Sequence, residues 1–405
     1  MAGLIKRLTK YGNSLALVLD RPVLNLLGID DDTPLEITTP DGKSPEFARE
    51  AILAFTRVRD LVVDPFTGGG TAVAEAISLG RRAAGIDISS LATFLTRVKT
   101  TPLSSRDVDM VLEWAKQLPP AANFNNIGCR ALEPNDLSVR HLSRDAVIFF
   151  RGLLDQIRQI PNLRQQRFVR LILLATGQAA LDCKMDAPTL ENLLGDFHTT
   201  LRSAVSEFRA YWRDVAAAHA VPPSRLTQFR RIVNRCSSGS DVDKRIPREW
   251  LPARLIVTSP PYPGVHVLYH RWQISGRRET PAAFWITNQH DGAGESYYTF
   301  GPRQQPGLTR YFAQLRSTFT SIRGFLSARS LVVQLVGFSK PEWQLPVYLR
   351  TMKEAGFEEL MPLCDRGALH QRRVWRPVPS RRWYACIDRE VQSSREVLLL
   401  HRLAG

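Results

Sequence analysis

The sequence predicts an α/β fold: a parallel sheet with helices on both faces, carrying a helical insertion and a small N-terminal β domain. Two observations support that prediction. Continuous apolar runs such as Leu61-Val62-Val63 and Leu255-Ile256-Val257 end in Asp64 and Thr258, as strands buried on both faces do. Between such runs lie stretches with helical spacing, and strand–helix alternation marks parallel sheets joined by crossovers.

Residues 1–42 read as a separate unit of short β segments. Gly3 to Lys10 and Leu15 to Leu19 flank a turn at Tyr11-Gly12-Asn13-Ser14, where glycine and asparagine tolerate positive φ. A short helix from Pro22 to Leu27 and a strand around Leu35 to Thr39 follow. The run Leu8-Thr9-Lys10-Tyr11-Gly12-Asn13-Ser14-Leu15-Ala16-Leu17-Val18 resembles the AbrB/MazE-type swapped-hairpin DNA-binding domain. That resemblance spans nearly all of residues 3–41 and implies a homodimer, two chains interleaved into one small barrel.

A linker at Asp41 to Pro45 leads into a helix, with Ser44 as its N-cap and Pro45 at its first position. Residues 44–104 then run helix to Phe55, strand Asp60 to Asp64, glycine turn, helix Ala72 to Leu79 and strand Ala83 to Asp87. Over 105–222, apolar residues recur at helical intervals in Val111, Leu112, Ala115 and Leu118, and again in Phe168, Leu171, Ile172 and Ala175. This helical insertion is a candidate target-recognition region, with a pure scaffold as the alternative. In 223–405 the sheet resumes, with strands expected at Arg231 to Val233, Leu255 to Thr258, Leu331 to Val336, Phe357 to Met361, Trp383 to Ile387 and Val397 to Leu400.

The chain has 405 residues, enough for more than one folding unit. Its net charge of +15 favours a polyanionic partner, nucleic acid first. Of 54 basic residues 45 are arginine, a skew that coding composition also produces, so the charge is moderate support. Cys129, Cys183, Cys236, Cys364 and Cys386 are scattered and never in C-x-x-C spacing, which argues against a disulfide framework and against a metal site. Met1 to Lys10 has no apolar core of a leader, and the longest apolar stretch, around Leu171 to Ala175, is too short to span a bilayer. A cytoplasmic protein with no membrane partner is expected.

Two motifs carry the chemistry. In Asp64-Pro65-Phe66-Thr67-Gly68-Gly69-Gly70-Thr71 a strand ends in a glycine turn that opens onto a helix, so backbone N–H groups and the helix end face a small ligand. Asp87 follows 23 residues after Asp64, at the end of the next strand, where α/β folds place an acid on ribose hydroxyls. No G-K-[ST] follows the glycines, which argues against a P-loop. The second motif is Thr258-Ser259-Pro260-Pro261-Tyr262, where two prolines fix φ and stiffen the turn. Ser259 Oγ and the Pro260 carbonyl are acceptors suited to an exocyclic amine, and Tyr262 offers a face for a base taken out of the stack.

Together these motifs resemble the DNA amino-methyltransferases, and the sheet is then a Rossmann-like methyltransferase sheet. The resemblance implies S-adenosyl-L-methionine as cofactor, bound by Asp64, Pro65, Phe66, Gly68, Gly70, Thr71 and Asp87. It implies catalysis by Ser259, Pro260, Pro261 and Tyr262, double-stranded DNA as substrate, and a cognate restriction enzyme as a further partner. Serine at the first position of the turn is typical of cytosine-N4 enzymes, and Asp or Asn is commoner in adenine-N6 enzymes. Adenine-N6 methylation, RNA amino-methylation and a DNA-binding regulator with a vestigial methyltransferase domain are the alternatives. Relatives usually carry a longer segment before the glycine turn than residues 44–58 here, which puts cofactor affinity in question.

Arginines beside aromatics suit phosphate contact plus stacking. The tail supplies Arg372, Arg373, Arg381 and Arg382 near Trp375, Trp383 and Tyr384. Arg277 and Arg278 lie in a polar segment from His266 through His270 and Arg271 to Trp285, read as a loop over the active site.

Overall fold

A computed structural model describes residues 45–128, 139–264, 272–275, 278–289, 298–301, 307–360, 373–377 and 395–405. The hairpin unit of 1–42, the Ser44 cap, the expected strand at Trp383 to Ile387, and His266, His270, Arg271, Arg277, Arg372, Arg381 and Arg382 lie outside them. The chain divides into two units.

The first unit comprises residues 1–89, 229–267 and 293–405 and holds the large sheet. Its strands are β1 (Leu61–Asp64), β2 (Arg82–Asp87), β3 (Arg230–Asn234), β4 (Leu255–Thr258), β7 (Leu331–Gly337), β8 (Phe357–Glu359), β9 (Trp375–Pro377) and β10 (Arg395–Leu403). The order is β3-β2-β1-β4-β7-β10-β8, with β9 added on β10. Strands β3, β2, β1, β4 and β7 pair in parallel. Every residue of β1 and β4 is buried, which is why those strands read as unbroken apolar runs.

The sheet departs from the all-parallel expectation at β10, which runs antiparallel to β7, β8 and β9. An antiparallel strand needs no crossover helix, so the chain can fill the gap between β7 and β8 on a direct return. Order reverses between β1 and β4, the switch point outside whose carboxyl ends open α/β sheets bind ligands.

Alternate strand residues Leu61, Val63, Ala84, Ile86, Ile256, Val332 and Val336 form one cluster with Tyr311, Leu315, Phe319 and Ile322 of the helix Gly307–Ile322 and with Tyr348 and Met352 of the helix Pro341–Glu354. Period two on the strands meets period 3.6 on the helices, and burial of these side chains supplies most of the cohesion. The helices Pro45–Phe55 and Thr71–Ser78 pack on each other; the first also packs on β4, the second on β1 and β2.

The second unit, residues 90–228 and 268–292, is helical. Its helices are Ser90–Lys99, Ser105–Lys116, Ala121–Gly128, Arg144–Arg158, Leu163–Leu181, Leu190–His219 and Ala282–Thr287. Local chemistry starts them: Ser104 and Asp107 form a reciprocal capping box, and Ser143, Asn162 and Thr189 cap the next three long helices. The segment expected as a loop up to Trp285 is, where described, an antiparallel pair of β5 (Trp272–Ile274) and β6 (Arg278–Thr280) followed by a helix. Trp272 and Ile274, two apart, are buried in the core of this unit, and that burial forces regular structure.

Among the described residues no helix is long and apolar enough to cross a membrane, and no group of three or more His, Cys, Asp or Glu residues could hold a metal ion.

Candidate functional site

Strands β1 and β4 are parallel neighbours, so their C-terminal turns emerge side by side. The two motifs, 195 residues apart from Asp64 to Ser259, are joined directly: Thr258 Oγ1 donates to Asp64 Oδ1 over 2.8 Å. Asp64 is buried, and the same oxygen accepts from the Phe66 N–H at 3.2 Å. One carboxylate therefore fixes the geometry of both turns.

The glycine turn is closed by its own polar groups. Thr67 Oγ1 donates to the Asp64 carbonyl at 3.1 Å and its N–H to the Ile86 carbonyl at 3.0 Å. Gly68 N–H donates to Asp87 Oδ2 at 2.8 Å, and Gly70 N–H to the Thr67 carbonyl at 2.9 Å. Gly68 at φ 53° and Gly70 at φ 83° occupy the left-handed region, where a Cβ is costly. Gly70 is the N-cap of the helix that begins at Thr71. Beneath the turn, a Cβ on Gly85 would lie 2.6 Å from Thr67 Oγ1 and 2.9 Å from Val73 Cγ2, so the close approach of β2 requires glycine.

Asp87 ends β2 and is placed beside the turn; besides Gly68 N–H it accepts from the Ser89 N–H at 2.9 Å. Its observed bonds therefore brace the turn, which the sequence reading, with its ribose expectation, did not include. Ser237, just past β3, donates to the Pro65 carbonyl and ties a third strand end to the same turn.

The second turn is held from outside. Tyr311 Oη donates to the Pro261 carbonyl at 2.6 Å; burial pushes its pKa well above the usual phenol value, which keeps that proton in place. Tyr262 Oη donates to Glu396 Oε2 at 2.6 Å. Its ring lies on Gly337, where an added Cβ would be 2.6 Å from Tyr262 Cδ2, and the residue is only 8% exposed. The ring expected to meet a base is thus largely occupied in holding the turn. Ser259 Oγ is buried and among the described residues has no hydrogen-bond partner. Likewise, no described donor reaches the Pro260 carbonyl. Phe66 of the first turn meets Phe300 edge-on at 5.5 Å, and Phe300 meets Tyr311 at 5.7 Å, an aromatic chain from one turn to the support of the other.

Sequence reasoning missed Thr67, Ser237, Phe300, Tyr311, Gly337 and Glu396. Thr67 lies inside a quoted motif and was legible. The others come from distant segments with no motif of their own.

Of the arginines assigned to DNA, two lie among the described residues. Arg278 is exposed on β6. Arg373 makes a bidentate pair with Glu359, both bonds 2.8 Å, which raises the guanidinium pKa through those hydrogen bonds and occupies its planar fork.

Residues 36–93 match a family model described as a DNA methylase, of N6/N4 type. That segment contains β1, the glycine turn, β2 and Asp87 and stops short of the second turn. No curated protein matches the chain. Among solved structures it is similar to the crystal structure of TrmN from Thermus thermophilus, at 10% identity and a TM-score of 0.30, over 89% of this chain and 49% of that one. The chain spans about half the length of that solved protein. The family match falls on the residues that build the glycine turn and the strand after it.

Proposed function

We propose that this chain is an S-adenosyl-L-methionine-dependent DNA methyltransferase that modifies an exocyclic amine, the N4 of cytosine. The observation that carries the reading is Ser259 Oγ: a buried hydroxyl without a partner among the described residues, in a turn where Thr258, the Pro261 carbonyl and Tyr262 are all bonded. Buried polar atoms left unpaired are rare in native proteins and call for an explanation. An incoming amine supplies one.

The donor set suits the cofactor. The left-handed glycines and the helix beginning at Thr71 leave room for a ligand against the main chain, with Asp64 and Asp87 beside it for its ammonium and hydroxyl groups. When bound, S-adenosylmethionine supplies a methyl group made electrophilic by its sulfonium.

Ser259 Oγ and the Pro260 carbonyl each accept one N–H of the target amine. That draws the nitrogen out of conjugation toward tetrahedral geometry and spreads the positive charge it acquires. The Pro261 carbonyl is already engaged by Tyr311, which leaves its neighbour for the substrate. The nitrogen would gain the methyl group as the cofactor's S–CH3 bond breaks to leave a neutral thioether, and would release one N–H proton to solvent, so no protein nucleophile is required. A duplex base reaches this turn only when extruded from the stack. In this reading residues 1–42 add DNA affinity and pair two chains.

Nucleoside mass spectrometry of DNA from cells expressing the chain tests the proposal. N4-methylcytosine is the expected product. N6-methyladenine would retain the class and replace the base. Neither product, with the protein folded and binding cofactor, would overturn the reading.

A further inference from the structure

We propose that Glu396 is a positioning residue for methyl transfer, acting through Tyr262 to hold the Ser259–Pro260 acceptor pair in place; the proposal rests on the amino-methyl transfer reading above. Glu396 sits on β10, the reversed strand, and is fully buried. Its cross-strand partner is Gly337, the last residue of β7. Gly337 is also where the Tyr262 ring lies, since any side chain there would overlap ring carbons Cδ2 and Cε2. One cross-strand pair thus supplies both a floor for the ring and an acceptor for its hydroxyl, at 2.6 Å.

The physical case rests on lever arm and rigidity. Pro260 and Pro261 lock φ through the turn, so a displacement of Tyr262 is transmitted to Ser259 instead of being absorbed between them. A phenol left unpaired in the apolar cluster that holds Tyr262 would be costly, and Glu396 supplies its acceptor. Tyr311 holds the same turn at the Pro261 carbonyl, so the two phenols fix the turn at consecutive residues. Both of those contacts leave Ser259 Oγ untouched. Glu396 lies 134 residues from Tyr262 in the chain and belongs to neither motif.

The test uses the full chain, tritiated S-adenosylmethionine and plasmid DNA, with turnover normalised to cofactor-binding sites counted by calorimetry. Active wild-type protein is the entry condition. Wild type that binds cofactor and methylates no DNA overturns the amino-methyl reading itself, before any variant is made. Given active wild type, Tyr262→Phe and Glu396→Leu should each lower kcat about 10- to 100-fold, the scale of a small misplacement at the reacting centre, while cofactor Kd moves less than about twofold. Glu396→Gln, which keeps an acceptor, should retain at least about half of kcat. The double variant Tyr262→Phe/Glu396→Leu should be no worse than the poorer single, because both remove one interaction. Normal kcat in Glu396→Leu, losses that multiply in the double variant, or a loss that tracks cofactor-binding sites would each overturn the proposal. If Glu396→Leu does not fold, Tyr262→Phe and Glu396→Gln carry the same test: equal kcat in the two would overturn it.

Discussion

The turn after β1 and the turn after β4 leave the sheet side by side and are built on opposite principles. The first is held mainly from within: Asp64, Thr67, Gly68, Gly70 and Asp87 bond to one another or to the adjoining strand, and Ser237 adds a bond from outside, so its shape is set before any ligand arrives. The second relies on side chains from elsewhere, Asp64 before it and Tyr311 and Glu396 around it, and leaves Ser259 Oγ without a partner among the described residues. A binding loop needs a fixed shape. A catalytic acceptor needs fixed surroundings and a free lone pair. On the proposed reading the two turns divide these requirements between them, and Asp64 belongs to both.

Removing the shared group breaks the comparison most severely. Asp64→Ala orphans the Thr258 hydroxyl and the Phe66 N–H inside a buried site, at a cost of about 2–4 kcal/mol on urea unfolding. Cofactor affinity should fall by more than about tenfold by calorimetry, and methylation should disappear, since one change loosens both turns.

Ser259→Ala sharpens the contrast in the other direction. It deletes a hydroxyl with no partner among the described residues, so stability should stay within about 0.5 kcal/mol of wild type or rise slightly. Turnover should nevertheless fall about 100-fold, the scale of losing one preorganised polar contact to developing charge. Turnover and urea unfolding measured on the same preparation decide the matter; a destabilised Ser259→Ala would mean that the hydroxyl serves the fold.

Thr258→Val is milder. It keeps the shape of the side chain and removes one bond to Asp64, for about 1 kcal/mol of stability and a several-fold loss of turnover. Asp64 keeps its bond from Phe66, so cofactor affinity should be nearly unchanged in calorimetry.

The same division explains what the sequence disclosed. The turn held mainly from within is local: strand, glycines and helix lie within Leu61–Ser78, and periodicity plus glycine chemistry were enough to read them. β1 and β4 were legible as unbroken apolar runs, and their adjacency was implied by the joint resemblance of the two turns. Glu396 and Tyr311 were hidden, because nothing in their own segments distinguishes a buried acid on a strand or a tyrosine on a helix from its neighbours. Their meaning arises only when β10 enters the sheet in reverse beside β7, which local pattern does not encode. Trp272 and Ile274 misled for a related reason: charges around them resembled a loop, and burial in the helical unit overrode that impression.

The smallest effect at neutral pH concerns His401 on β10, away from both turns. It is buried, and both ring nitrogens lack partners among the described residues. Burial first, and the nearby Arg373 guanidinium second, lower its pKa from 6.5 to about 3. Between those values the unfolded chain binds a proton that the folded chain refuses, so stability must fall as pH drops through 6.5 toward 3. This group alone contributes a slope of about 1.4 kcal/mol per pH unit across that window. Asp243 titrates elsewhere, because hydrogen bonds from Arg245 hold its carboxyl well below the usual range, so its contribution is lost only in stronger acid. Urea unfolding of wild type and His401→Leu at several pH values from 6.5 to 4.5 separates the two groups. The variant should match wild type near pH 7 and lose about one proton's worth of slope below it; parallel slopes would mean that the folded protein protonates His401 as readily as the unfolded chain does.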